Sequence, residues 1–587
     1  MGIKKLSLGV AVVLIASLVE TLAIGASASV RHATTSGTRP DVTQAAAFDV
    51  SPALRDLTAA PFTAAPATTD PSSIDVVELP SDRRPTGNDG THAGEGSRQD
   101  SKSGDGLSPL LTFEGLSNAD NFRLFGGRVL PPDPVGAVGP NHYVEMVNLA
   151  FAVYDKQGTR LAGPFKLGSL WQGFAVKDCS RNAGDPVVLY DRRADRWILT
   201  QFTAVDPGPY FNCVAVSKTS DPAGAYYRYA FNWGAFFPDY PKYSVWRNAY
   251  LLTSRDFGPL DTDYGISVAS LEREKMIKGD PSARMVKFFL DSNVIPVYLM
   301  GDGLLPADVD GWSQPDEGSP APIVGTMNAT YLPYGAPFDG LNIFELAVDW
   351  QSPEDASLNL ASQLHVAAFT SKFPCTDTIT INPPPVTGGP PPPNSQTRSC
   401  IPQPGTTRKI DILSSRQRPT YRLAYRNFGG FETMVTNQSV QASPGMAGVR
   451  WYEIRRKNGE YSVFQQGTYA PADGVHRWMG SIAMDKKGNM GLGYSVSNGI
   501  DVYPGIRFTG RLKKDPPGQM TLGEGVIIDG TGSQLHRASR WGDYTTMSID
   551  PSDDCTFWYV NEYIQTTGPA NWQTRIGSFQ LPGCKGG

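Results

Sequence analysis

Seven short clusters of acidic, basic and aromatic residues are read as standing just before the first apolar strand of a repeat. They are Pro132-Asp133-Pro134, Gly184-Asp185-Pro186, Pro238-Asp239-Tyr240-Pro241, Asp308-Val309-Asp310, Tyr425-Arg426-Asn427, His476-Arg477-Trp478 and Arg540-Trp541-Gly542-Asp543-Tyr544. If all seven converge, the earlier clusters contribute carboxylates and the later ones guanidinium groups and aromatic rings. Such a set suits a sugar, above all one carrying a carboxylate. Arg477 and Arg540 would hold the acid in bidentate fashion while Trp478 and Trp541 stack on the ring. Asp185 and Asp239, with Asp543 as a third catalytic candidate, would act as general acid and as base or nucleophile on a glycosidic bond. Asp133, His476 and Tyr544 complete the expected ligand-binding set. The competing reading is structural: Asp at strand starts caps turns, Asp before Pro initiates them, and an Arg before Trp frequently forms salt bridges between blades.

Other chemistries find little support. No G-x-S-x-G elbow, phosphate-binding loop or dinucleotide fingerprint falls in a strand-to-helix context. The six histidines are scattered without the close spacing of a zinc motif, and His476 and His536 are the two that sit near an Arg-Trp cluster. No cofactor is expected. A structural calcium held by Asp and carbonyl oxygens is compatible with the sequence, although no EF-hand loop occurs. A formal net charge of -5 over 587 residues, without a dense Lys/Arg cluster, argues against nucleic acid as a partner. Six cysteines without C-x-x-C spacing point to disulfides, and proximity in the chain suggests Cys179 with Cys213, Cys375 with Cys400, and Cys555 with Cys584.

The elements that would position these residues are strands. One pattern recurs: an apolar strand, an Asp with a polar or Gly-containing turn, and an aromatic-rich strand. It is seen at Ala152 to Gly158, Val188 to Trp197, Ile482 to Asn489 and Ser548 to Asp554. Divergent copies run through Tyr243 to Thr253, Ile323 to Val348 and Glu432 to Ile454. About seven such units predict an all-β fold, a single β-propeller of about seven blades with long insertions, six or eight being within counting error. Tandem β-sandwiches are the alternative. Val268 to Lys278 is the best helical candidate. Residues 1–28 read as a signal peptide cleaved after Ala26-Ser27-Ala28, and 29–109 as a disordered leader poor in aromatic residues. Residues 110–587 form the propeller, with a Pro-rich loop at 375–400.

The phrases around Pro134 to Tyr143, Gly184 to Asp191, His476 to Asp485 and Ser539 to Tyr544 resemble a largely uncharacterised family of exported, propeller-like bacterial proteins. That resemblance implies fold and export and brings no catalytic residues. Ser548-Ile549-Asp550 with Thr556, Phe557 and Trp558 more loosely resembles the Asp-box hairpins of sialidase-type propellers. The Gly of that turn is replaced here by Asp553-Asp554-Cys555. The expectation is a secreted, monomeric propeller, extracellular or at the cell surface. It would bind, and as a glycoside hydrolase-like enzyme cleave, extracellular carbohydrate where its first strands begin. The other class is a non-catalytic propeller that binds extracellular protein or serves as a surface scaffold. Neither has a membrane span after signal cleavage.

Overall fold

The structure is a computed structural model that describes residues 39–57, the backbone of 73–75, 106–259, 264–330, 334–371, 373, 399–412 and 417–585. It is all-β, built from antiparallel sheets whose strands follow the runs of Val, Ile, Tyr, Phe and Trp. Turn aspartates close several hairpins by supplying acceptors for backbone N–H groups. Asp155 Oδ1 accepts from Gln157 and Thr159 at 2.9 and 2.8 Å, Asp485 Oδ1 from Lys487 and Asn489 at 2.8 and 3.0 Å, and Asp550 Oδ1 from Ser552 at 2.9 Å.

The first sheet holds Val135–Val138, His142–Val147, Ala150–Asp155 and Arg160–Lys166. The second begins at Val188–Asp191 and ends at Tyr226–Gly234, and the third runs from Phe237–Val245 to Arg284–Asp291. An eight-stranded sheet follows, made of two antiparallel groups of four. Their first strands, Leu305–Val309 and Thr420–Asn427, pair in parallel with Ala307 opposite Leu423. Another sheet begins at His476–Met484, and the last combines Thr546–Ile549, Thr556–Ile564 and Trp572–Gln580 with Leu111–Ser117, which precedes the first sheet in the chain. The first strand of each group, its entry strand, touches the next in chain order, and Thr546–Ile549 touches Val135–Val138.

Aromatic rings fill the seams between groups. Tyr143 and Trp558 lie 5.4 Å apart, Trp478 and Trp541 5.5 Å, and Trp246 and Tyr425 4.9 Å.

Three expectations change. Val268 to Glu272 belongs to the strand Tyr264–Glu272, and only Arg273–Met276 is helical, because both faces of Val268 to Leu271 are buried between neighbouring strands. A helix that was not foreseen, Asn118–Phe125, starts at a reciprocal cap between Ser117 and Asp120. Part of the expected disordered leader is folded. Asp41–Gln44 adds to the third sheet and Ala47–Val50 to the second, while Arg228 holds Asp49 through bonds of 2.7 and 2.6 Å and Leu54 is fully buried. The remaining leader and signal residues lie largely outside the described residues.

The disulfides Cys179–Cys213 and Cys555–Cys584 are formed. Cys400 is also disulfide-bonded, and Cys375, with the Pro-rich loop, lies outside the described residues. Among the described residues, no helix is long and apolar enough to cross a membrane.

Candidate functional site

Asp133-Pro134 and Asp185-Pro186 stand just before the first two entry strands, at their leading ends, and Tyr240-Pro241 lies within the third, Phe237–Val245, at its bulge. Asp133, Asp185 and Tyr240 all have left-handed backbones, with φ of 46°, 44° and 54°. A non-glycine residue in that region costs roughly 1–3 kcal/mol, and such strain concentrates at functional sites. In the third sheet it coincides with a bulge between Asp239 and Lys242 that turns Tyr240 out of the pairing register.

Side chains link these leading ends in series. Asp133 accepts from the Asp543 N–H at 2.7 Å and from Asn148 Nδ2 at 3.0 Å. Asn148 Oδ1 accepts from the Asp185 N–H at 2.8 Å, and Asp185 Oδ2 accepts from the Tyr240 N–H at 3.1 Å. Arg255 then bridges Asp239 at 3.6 Å and Asp302 at 3.4 Å, and Tyr334 donates to Asp302 at 2.6 Å. Arg540 closes the cluster, contacting Asp543 at 2.9 Å and Asp411 at 3.1 Å. Burial and the neighbouring Asp543 and Asp185 charges hold the Asp133 carboxyl well above the usual carboxylate range. Burial, reinforced by Asp239, pushes Asp185 up to about 7.

Lys242 lies behind this row, fully buried, with its ammonium 3.4 Å from the centre of the Tyr240 ring and 3.7 Å from that of Tyr544. Burial brings it down to about 7. Arg418 stacks on Tyr240 at 3.9 Å. Asp239 and Asp543 keep 13 % of their side-chain surface exposed, and they are the carboxylates that solvent reaches most readily.

The structure therefore brings together Asp133, Asp185, Asp239, Arg540, Asp543 and Tyr544. Four expected ligand-binding residues are elsewhere. His476 is buried, accepts from the Ala447 N–H at 3.3 Å and is brought down to about 4 by burial. Arg477 is held between Asp473 at 2.7 Å and Glu524 at 2.8 Å. Trp478 and Trp541 pack on each other with no exposed face, and Trp541 Nε1 donates to Ser495 at 3.0 Å. Asp308, Asp310 and Arg426 come at the trailing ends of their entry strands. There Arg422 binds Asp308 and Asp310 at 2.8 and 2.6 Å, and Arg426 binds Asp554 at 2.7 Å. The fourth and fifth groups instead supply Asp302 and Arg418 to the leading end.

Lys242, Arg255, Asp302 and Arg418 were not foreseen. Lys242 directly follows the Asp239-Tyr240-Pro241 cluster, the one signal that pointed to it. No group of three or more His, Cys, Asp or Glu side chains among the described residues has metal-binding geometry.

No family model matches the chain, and no curated protein matches its sequence. Among solved structures it is similar to an α-L-arabinanase of Penicillium chrysogenum, with 7% identity over 66% of this chain and 91% of the other at a TM-score of 0.32. It is similar also to the Hadza microbial sialidase Hz136, with 8% identity over 76% and 74% at a TM-score of 0.32. A third is the GH93 α-L-arabinofuranosidase of Fusarium graminearum, with 9% identity over 66% and 90% at a TM-score of 0.30.

Proposed function

We propose that the chain is a secreted seven-bladed β-propeller that binds carbohydrate, and cleaves a glycosidic bond, where its entry strands begin. Dividing the eight-stranded sheet at its parallel pair leaves seven antiparallel groups, five of four strands and two of five, and their entry strands contact one another in a circuit. A tandem sandwich would not return the last group to the first.

One observation carries the chemical reading: the burial of Asp185 beside Asp239, with its carboxyl pushed up to about 7. A carboxyl that keeps its proton near neutrality can protonate a leaving-group oxygen. Asp239, with the Arg255 guanidinium 3.6 Å away, supplies the second carboxylate, as base or nucleophile. Asp543, paired with Arg540 at 2.9 Å, orients the ligand's hydroxyl groups. Asp133, bonded to two neighbours and fully buried, positions the Asp543 backbone.

The test is turnover on neutral and acidic oligosaccharides by the full chain and by Asp185→Asn. The expected result is a loss of about 100-fold or more in the variant, the scale of general-acid catalysis. Absence of both binding and turnover across the panel overturns the reading.

A second reading, a non-catalytic protein-binding scaffold, draws on the oxygens that Asp133 and Asp185 give to backbone N–H groups of adjacent groups. It predicts an Asp185→Asn variant with a lower melting temperature and unaltered partner binding.

A further inference from the structure

Away from the entry strands, a cavity of about 330 Å³ opens at the outer edge of the third sheet. It is lined by Arg39, Asp41, Trp233, Phe236, Asp256, Lys287 and Phe289. The volume falls in the range of small-ligand clefts and accommodates a single substituted ring. Its walls are aromatic. Trp233 is almost fully buried, and Phe236 and Phe289 pack at 5.0 Å.

The polar groups divide by what each has left to give. Asp256 has little left to give: it accepts from the Ser254 and Ser267 hydroxyls at 2.5 Å and from Trp233 Nε1 at 2.9 Å, three of a carboxylate's roughly four acceptor positions, and burial raises its carboxyl, a rise that the Lys287 charge partly offsets. Lys287 stands 4.9 Å over the Trp233 ring and donates to the Trp233 carbonyl at 2.8 Å, which commits one of its three ammonium protons. Arg39 adds a second cation at the rim. Asp41, opposite Lys287 in the strand register, opposes a second negative charge on any occupant.

We propose that this cavity binds a ring-bearing monocarboxylate, the ring against Phe236 and Phe289 and the carboxylate on Lys287 and Arg39. The site is independent of the carboxylate row at the entry strands. Two sources share that chemistry, a uronic acid and an aromatic acid.

Calorimetric titration of the full chain with D-galacturonate and with 4-hydroxybenzoate, alongside galactose and 4-hydroxybenzyl alcohol as uncharged counterparts, tests it. Expected is binding of at least one carboxylate, with its uncharged counterpart weaker by about tenfold or more. Lys287→Met should lose that discrimination and Lys287→Arg should retain it, with any oligosaccharide turnover unchanged in both. Which acid binds more tightly identifies the source. The proposal is overturned if neither acid binds at millimolar concentration, if the uncharged counterparts bind equally, or if Lys287→Met binds as the parent does.

Discussion

Glu145 is fully buried where the first and last sheets meet, accepting from the Leu116 N–H at 2.8 Å and the Thr574 hydroxyl at 2.5 Å. Burial pushes it up to about 7. The folded chain therefore keeps a proton that the unfolded chain releases above about 4.5, and stability falls as pH rises from there to 7. At 1.36 kcal/mol per unit, the loss is roughly 3 kcal/mol. Asp185, also about 7, acts in the same direction. Glu145→Gln should flatten the slope of urea-unfolding free energy between pH 5 and 7. Lys242 works oppositely above 7, where the unfolded chain still holds a proton that the folded one has lost, so stability recovers toward pH 10. Lys242→Met should remove that recovery. At this scale the sequence was readable where a residue's neighbours fix its place. Asp133 and Asp185 precede Pro and an apolar run, and both stand at leading ends. Trp478 and Trp541 were misread because an aromatic ring suited to stacking on a sugar is equally suited to filling a seam, and residue type does not report direction.

The segment 39–57 shows what composition hides. Its Ala- and Asp-rich sequence buries little apolar surface by itself, yet the outer strands Tyr226–Gly234 and Arg284–Asp291 offer unpaired backbone groups that Ala47–Val50 and Asp41–Gln44 satisfy. Leu54 anchors it at 0 % exposure. Leu54→Ala should cost about 2–5 kcal/mol in urea unfolding, the range for a buried Leu truncation. An unchanged midpoint would show that the segment is dispensable. Hairpins were the most legible elements, since Asp turns and β-branched runs act locally. Their position within a sheet was not. The Asp155 turn joins the third and fourth strands of its sheet, whereas those after Asp191, Asp485 and Asp550 join the first and second. An Asp turn closes a hairpin anywhere.

For the molecule as a whole, the all-β class was written in the strand signals, and the pairing of Leu111–Ser117 with Trp572–Gln580 was not, because partners so distant leave no local pattern. Leu111–Ser117 pairs with Trp572–Gln580, Ser117 opposite Gln573, and Cys584 is tied to Cys555. A chain ending before Trp572 should lose its cooperative thermal transition and be cut by protease near Leu111. A sharp transition like that of the full chain would contradict this. The same pairing has a temporal consequence. During synthesis Leu111–Ser117 leaves the ribosome long before Trp572–Gln580 is made, so a nascent chain cannot complete this sheet until that later strand follows. Any factor that shields Leu111–Ser117 in the interval, or any competing edge that captures it, would govern the yield of folded protein.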